Sequence, residues 1–294
     1  MKLYAPAYYK NFKCIADKCT HSCCIGWEID IDENAMKKYN SLRDGYGEII
    51  KGSISTDGTP HFKLGKGDRC PHLNECGLCE IILNIGEDHL CDICREHPRF
   101  YNYTSIAEVG LGMSCIEAAR LILSSPDYAE TEEVGEVDAD TDEFDFDGRA
   151  DRGIIYGILQ DPSMRYAEKL DLIRRQYQTK HRDDEEYLEI IDGLEYLDEA
   201  HRSLFCKFSS AHAPDGKDEY SERFLAYLIY RHCTEAFDPE DFRDRLAFCL
   251  FCEKLFSSLI LSENAQTLDE IARLASIISE EIEYSDDNTA ALML

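Results

Sequence analysis

A chain of 294 residues with 44% hydrophobic and 31% charged side chains has core material for two ordinary domains and is not a disordered polymer. Its formal net charge of -28 sets it against nucleic-acid phosphates and anionic lipid, and would draw a basic or lysine-bearing protein instead. There is no apolar run of about eighteen residues to make a membrane span, and the opening MKLYAPAYYKNFKC has no signal-peptide core. The expected place is therefore the cytoplasm, where thiols stay reduced and clustered cysteines point to metal or redox chemistry rather than disulfides.

In chain order, the first residues are rich in aromatics (Tyr4, Tyr8, Tyr9, Phe12). Then comes CIADKCTHSCCIGWEIDID, which carries Cys14, Cys19, Cys23 and Cys24; Cys19 and Cys23 lie one helical turn apart. Alternation over 28–32 predicts a short strand, 33–50 a short helix, and the glycine-punctuated 51–69 a loop and hairpin.

The second cluster, CPHLNECGLCEIILNIG, holds Cys70, Cys76 and Cys79. Its CxxC aims two sulfurs at one metal, and Gly77 permits the tight bend this needs. A third, CDICREHPRFYN, repeats the device at Cys91 and Cys94, with Arg95 and Arg99 near enough to offset thiolate charge or to form ordinary salt bridges. Cys115, in GMSCIEAARLIL, reads from its spacing as a core thiol on the inner face of a helix with Ala118, Ala119 and Ile122. His21, His61, His72, His89 and His97 are alternative ligands by position, though each is more often a surface or supporting histidine.

Over 127–151 twelve of twenty-five residues are acidic, which predicts an exposed linker. The remainder reads as helices. One starts at Asp161-Pro162 with the stripe Met164, Ala167, Leu170, Ile173 and Tyr177, and others lie at about 185–207, 219–237, 240–262 and 266–284. Cys206, Cys233, Cys249 and Cys252 fall inside these apolar stripes and read as core. GxGxxG, P-loop, GxSxG and HExxH patterns are all missing, so no Rossmann-type cofactor site is supported.

These segments, with ILQDPSMRYAEKL, FLAYLIYRH and ISEEIEYSDDN after the acidic stretch, resemble in order the motifs of the flagellin lysine-N-methylase family, itself part of a wider set of YkgJ-like cysteine-cluster proteins. The resemblance assigns metal ligation to Cys14, Cys19, Cys23, Cys24, Cys70, Cys79, Cys94 and Cys115, leaving Cys76 and Cys91 as extras; the place of Cys115 in this set comes from the resemblance alone. The chain departs from the family pattern at Glu280 and Tyr284, where arginine and histidine are usual, and at Ile116, where proline is usual.

The resemblance implies methyl transfer from S-adenosylmethionine to lysine side chains of flagellin, in a protein carrying an iron-sulfur cluster of the [4Fe-4S] type. Eight thiolates suffice for one cluster plus a zinc site, or for one cluster with spare cysteines. The CxxxCxxC signature of radical enzymes fails here, because Gly26 follows Cys19 and Cys23 at the third position. Lysine, with a pKa of about 10.4, offers roughly one amine in a thousand ready at neutral pH, so a base or a desolvating pocket is required. Tyr101, Tyr103, Glu108 and Glu117 are candidates for that base. The alternative is a non-catalytic metal-binding module, zinc-structured or an iron-sulfur electron carrier.

The expected fold class is α+β, predominantly α. The expected organisation is a cysteine-cluster region over 1–126, an acidic linker or loop over 127–152 and a helical region over 153–294.

Overall fold

The computed structural model describes residues 1–43, 45–138, 146–210 and 216–293. The part of the expected linker at 139–145 lies outside them. By its contacts the chain forms two compact units, one of Lys13–Pro98 and the other of Met1–Phe12 with Arg99–Leu294. The sequence expectation draws its boundaries at 126 and 152 instead.

Strand β1 (Lys2–Pro6) belongs to the large unit. The small unit then begins with cysteine-bearing loops and two helices, α1 (Glu33–Ser41) and α2 (Gly45–Ser53), where the sequence pattern suggests one. Helix α1 starts where it does because the Asp32 carboxylate accepts the Asn34 and Ala35 N–H groups, both at 2.9 Å. A hairpin follows, β2 (Ile54–Ser55) against β3 (His61–Phe62), in the expected loop-and-hairpin segment. The strand expected at 28–32 is only an extended stretch with a single bridge, Asp30 to His61, because the two-residue β3 leaves it little to pair with. Short helices α3 (Glu80–Ile85) and α4 (Asp92–Glu96) complete the unit. Its core is Ile29, Ile31, Tyr39, Ile50, Phe62 and Ile81, with cysteines among them.

The large unit is built on a sheet of order β4-β5-β1-β6, where β4 is Arg99–Tyr103, β5 Ala107–Leu111 and β6 Thr131–Glu136. Strand β5 pairs antiparallel with β4 and parallel with β1, and all five of its residues are buried. Gly110 faces Phe100 across the β4–β5 ladder, and a Cβ there would meet the Phe100 ring at 2.3 Å, so the close approach requires glycine. Strand β6, exposed throughout, is antiparallel to β1 and lies inside the stretch expected as linker.

Helices fill the rest: α5 (Ile116–Ser124), α6 (Arg149–Leu159), α7 (Tyr166–Tyr177), α8 (Asp184–Gly193), α9 (Glu199–Phe205), α10 (Asp218–Leu228), α11 (Pro239–Ser262), α12 (Leu268–Ile278) and α13 (Asp286–Leu292). The helix expected to begin at Asp161-Pro162 begins at Tyr166 instead. Asp161 spends its carboxylate on a turn, accepting the Ser163 N–H at 2.8 Å, and Glu168 reaches back to the Arg165 N–H. The buried face of α7 is accordingly Tyr166, Lys169, Leu170 and Ile173, with Ala167 outside.

Helix α11 is buried on every side from Leu246 to Ile260, as a central helix must be, and packs against α10 and α12. Helices α10 and α12 each run on into a π-helical turn, Ile229–Cys233 and Ser279–Glu283. The architecture is α+β with helix predominant, as the sequence pattern indicates. Among the described residues no helix is long and apolar enough to cross a membrane.

Candidate metal centre

Three local devices, one of backbone and two of side chains, bring distant cysteines of the small unit onto one apolar core. The Cys70 N–H donates to the Cys24 carbonyl at 2.9 Å, and Ile25 bridges Arg69, so the first and second clusters lie side by side. The 70–79 loop is closed by Asn74, whose side-chain oxygen accepts the Cys76 and Leu78 N–H groups, while Gly77 takes φ +77, a left-handed turn that glycine makes without strain. A bridge from Leu73 to Cys79 then returns Cys79 to the core. The third cluster is anchored by Asp32: its second carboxylate oxygen accepts the Asp92 N–H at 2.8 Å, so one carboxylate holds the starts of both α1 and α4. In that turn the Cys94 N–H bonds back to the Cys91 carbonyl at 3.1 Å.

The result is a thiol-rich core. Cys70 and Cys91 are buried in it, and Cys24, Cys79 and Cys94 pack against it half-buried. The thiols sense one another. A hydrogen bond with Cys23 lowers the Cys24 thiol to about 7 against the effect of burial, with Ser22 and Arg69 assisting. Burial pushes Cys70 up to about 11, and the nearby Cys24, Cys79 and Cys91 add to this. Cys91 and Cys94 share a hydrogen bond, which lowers Cys91 and raises Cys94. Burial also raises Cys79. None of the fourteen cysteines is paired in a disulfide, so the disulfide reading has no support here.

His72 sits in the same unit, but its Nδ1 is 3.2 Å from the Tyr46 hydroxyl and its Nε2 2.8 Å from the Ser53 hydroxyl. Its ring also packs edge-on against Phe62, and burial pushes its pKa down to about 4. With both nitrogens committed it is a core histidine, and the donors packed on this core are the thiols. Several free thiols on one core make the chemistry of a zinc-thiolate or iron-sulfur site. The residues fit such a group by donor type, while among the described residues no three His, Cys, Asp or Glu side chains are yet grouped as ligands of an ion.

Of the sequence-derived ligand set, Cys24, Cys70, Cys79 and Cys94 share this core, and Cys23 joins it through Cys24. Cys14 is exposed, and the Cys19 thiol donates to the His21 carbonyl at 2.9 Å. Cys115 lies in the large unit, immediately before α5, where Ala118, Ala119 and Ile122 form the buried face. Cys91, which the CxxC spacing offers as a ligand and the family resemblance leaves as an extra, is the most deeply buried thiol of the core. Beside α1 and α4 lies a pocket of about 370 Å³ that presents carboxylates (Asp32, Asp92) and cations (Lys37, Arg95) together.

The proposed bases lie in the large unit. Glu108 is held bidentate by Arg152, at 2.6 and 2.9 Å, and both side chains are buried. Tyr101 and Tyr103 stack on each other with centroids 6.2 Å apart, and Glu117 is 3.8 Å from Arg120.

Fold and site together define an α-rich α+β protein with a cluster of free thiols in its small unit. The chain is similar to the flagellar biosynthetic protein FliU of Salmonella muenchen, 29% identical over 131 residues that make up 42% of this chain and 77% of that protein. At the same identity and length it is similar to the lysine-N-methylases of Salmonella choleraesuis and Salmonella typhimurium, spanning only 32% of either. No family model matches the chain, and no solved structure matches it.

Proposed function

We propose that the protein transfers a methyl group from S-adenosylmethionine to lysine side chains of flagellin in the cytoplasm, and that the thiol core of its small unit carries an iron-sulfur cluster of the [4Fe-4S] type. The observation that carries this reading is the likeness to proteins named lysine-N-methylase, joined to five thiols gathered on one core. Cys24, Cys70, Cys79, Cys91 and Cys94 are the proposed holders, with Cys23 adjoining; Cys14, Cys19 and Cys115 complete the ligand set that the family resemblance implies.

When bound, such a cluster supplies negative inorganic sulfide and Lewis-acidic iron beside the polypeptide. The chain itself has other work. The pocket at α1 and α4 is lined by charges already paired within the chain, Asp32 with the N–H groups that start both helices and Asp92 with Arg95, so it is no ready receptor for the amino-acid end of S-adenosylmethionine. The acidic protein, at net charge -28, favours encounter with a lysine-bearing partner. A lysine must then lose its proton, since the ammonium has no lone pair to attack the sulfonium methyl. Glu108 is ill-suited to take that proton, because Arg152 already occupies both of its oxygens.

Anaerobically prepared protein incubated with methyl-labelled S-adenosylmethionine and flagellin tests the reading. Label on flagellin lysines supports it, and failure to bind the donor or label flagellin with metal fully loaded removes it. The missing Rossmann-type nucleotide motif and the wider cysteine-cluster resemblance favour a second reading, a metal-binding module without methyl transfer. Colourless protein with stoichiometric zinc and no label would select that one.

A further inference from the structure

The two π-helical turns of the large unit meet. Ile229–Cys233 follows α10 and Ser279–Glu283 follows α12, and the contact joins Arg231 of one to Glu283 of the other. A π-turn inserts a residue into the helical ladder at a cost in stability, and such turns persist most often at functional sites.

Here they assemble a cage. The Arg231 guanidinium lies 5.0 Å from the centre of the Phe100 ring and 4.9 Å from that of Tyr284, between two aromatic groups. Its Nη1 is 3.0 Å from Glu283 Oε2 and donates to the Tyr227 hydroxyl at 3.1 Å, and that hydroxyl donates to the same carboxylate oxygen. The Glu283 side chain is fully buried, and among the described residues no group hydrogen-bonds its Oε1. Nor, among them, does any hydrogen-bond Nε2 of buried His232, which lies 3.7 Å from Oε2.

We propose that this cage, formed by Phe100, Tyr227, Glu283 and Tyr284, is a binding site for the ammonium of a lysine or methyl-lysine side chain, and that Arg231 holds the place of that ligand at rest. Aromatic faces with a desolvated carboxylate are the recognition chemistry of alkylammonium ions. Exchange is charge-neutral within the site: an ammonium takes over the pairing with Glu283 as the guanidinium leaves, so no buried carboxylate is stranded. The free Oε1 accepts an additional N–H of the incoming amine. Tyr284 is 38% exposed and the Arg231 side chain 13%, so a long flexible side chain can enter from that edge. The identity of the ligand rests on the lysine-methylating reading, whereas the existence of the site does not.

The test is equilibrium binding of Nα-acetyl-lysine methylamide and its ε-trimethyl form to the full chain, with the ε-acetylated compound as neutral control. Arg231→Ala opens the cage and is expected to bind both cations at least about tenfold tighter than the wild type, with no binding of the control. Adding Glu283→Gln to that variant is expected to reverse the gain. A folded Arg231→Ala protein that binds no better than wild type, or whose binding ignores Glu283→Gln, overturns the proposal. Should Arg231→Ala not fold, Tyr284→Ala at the exposed edge is read instead. It is expected to raise KM for a lysine peptide about tenfold without a matching fall in kcat, or to weaken binding of the peptide by as much where no turnover occurs; an unchanged value overturns the proposal. Cation binding without methyl transfer leaves the cage standing and removes the reaction, whereas methyl transfer with KM and binding indifferent to these variants does the opposite.

Discussion

Replacing Glu108 by glutamine separates a structural carboxylate from a catalytic one. The Glu108 side chain is 2% exposed and that of Arg152 9%, and Arg152 also donates to Thr234 at 2.6 Å and lies 4.7 Å from the centre of the Tyr230 ring. Glutamine fills the same space and keeps one acceptor, but leaves the guanidinium buried without its counter-charge. Removing one partner of a buried ion pair typically costs about 3–5 kcal/mol. For a unit of roughly 150–250 residues each kcal/mol moves the melting temperature by about 2–4 °C. A melt monitored by circular dichroism should therefore fall by roughly 6–20 °C. Methyl transfer at a temperature where the variant stays folded should survive. A melt near that of the wild type together with abolished transfer would refute the reasoning and restore Glu108 as the base.

Further expectations concern other parts of the molecule. Burial raises the pKa of Glu283, but the charge of Arg231 and the contacts with His232 and Tyr227 outweigh this and hold it below the usual carboxylate value. Because the folded pKa is depressed, the stabilisation is present above the unfolded value of about 4.3 and lost as pH falls through the folded one. The gap in melting temperature between wild type and Glu283→Gln should close on acidification below about pH 4; a gap that widens there contradicts the assignment. Replacing His72 by phenylalanine removes its contacts with Tyr46 and Ser53 at a cost of about 1–3 kcal/mol, yet metal content measured by mass spectrometry should stay at the wild-type level, and its loss would make His72 a ligand. Gly110→Ala drives a methyl group into the Phe100 ring and should cost about 1–3 kcal/mol in urea unfolding; no loss would mean that the ring moves freely aside.

Much of this was legible from local pattern. The CxxC spacings marked the thiol clusters, glycine density marked the β2–β3 hairpin, and the apolar stripes of α10, α11 and α12 match the buried faces observed. Strand β6 was not legible, because TEEVGE reads as an acidic loop. Its carboxylates are instead met by lysines near the first strand, Lys2 at Glu133 and Lys10 at Glu132, each at 2.6 Å. The sharing of one core by Cys24 and Cys70 depends on a backbone bond across the intervening chain, which spacing does not encode. Likewise the Arg231–Glu283 pair joins positions far apart in sequence, and the π-turns that place it leave no periodic trace. Resemblance supplied Cys115 as a ligand, but its place before α5 in the large unit adds nothing to that assignment.

In the function proposed above, the thiols of the small unit hold an iron-sulfur cluster. Iron and sulfide analysis with visible absorption, on anaerobically prepared wild type and on a variant with Cys70 and Cys91 both changed to serine, tests it most directly. Wild-type protein should be brown with iron and sulfide in equal amounts, and the variant colourless. Wild-type protein free of iron and sulfide, with all fourteen thiols titrating freely, would contradict it.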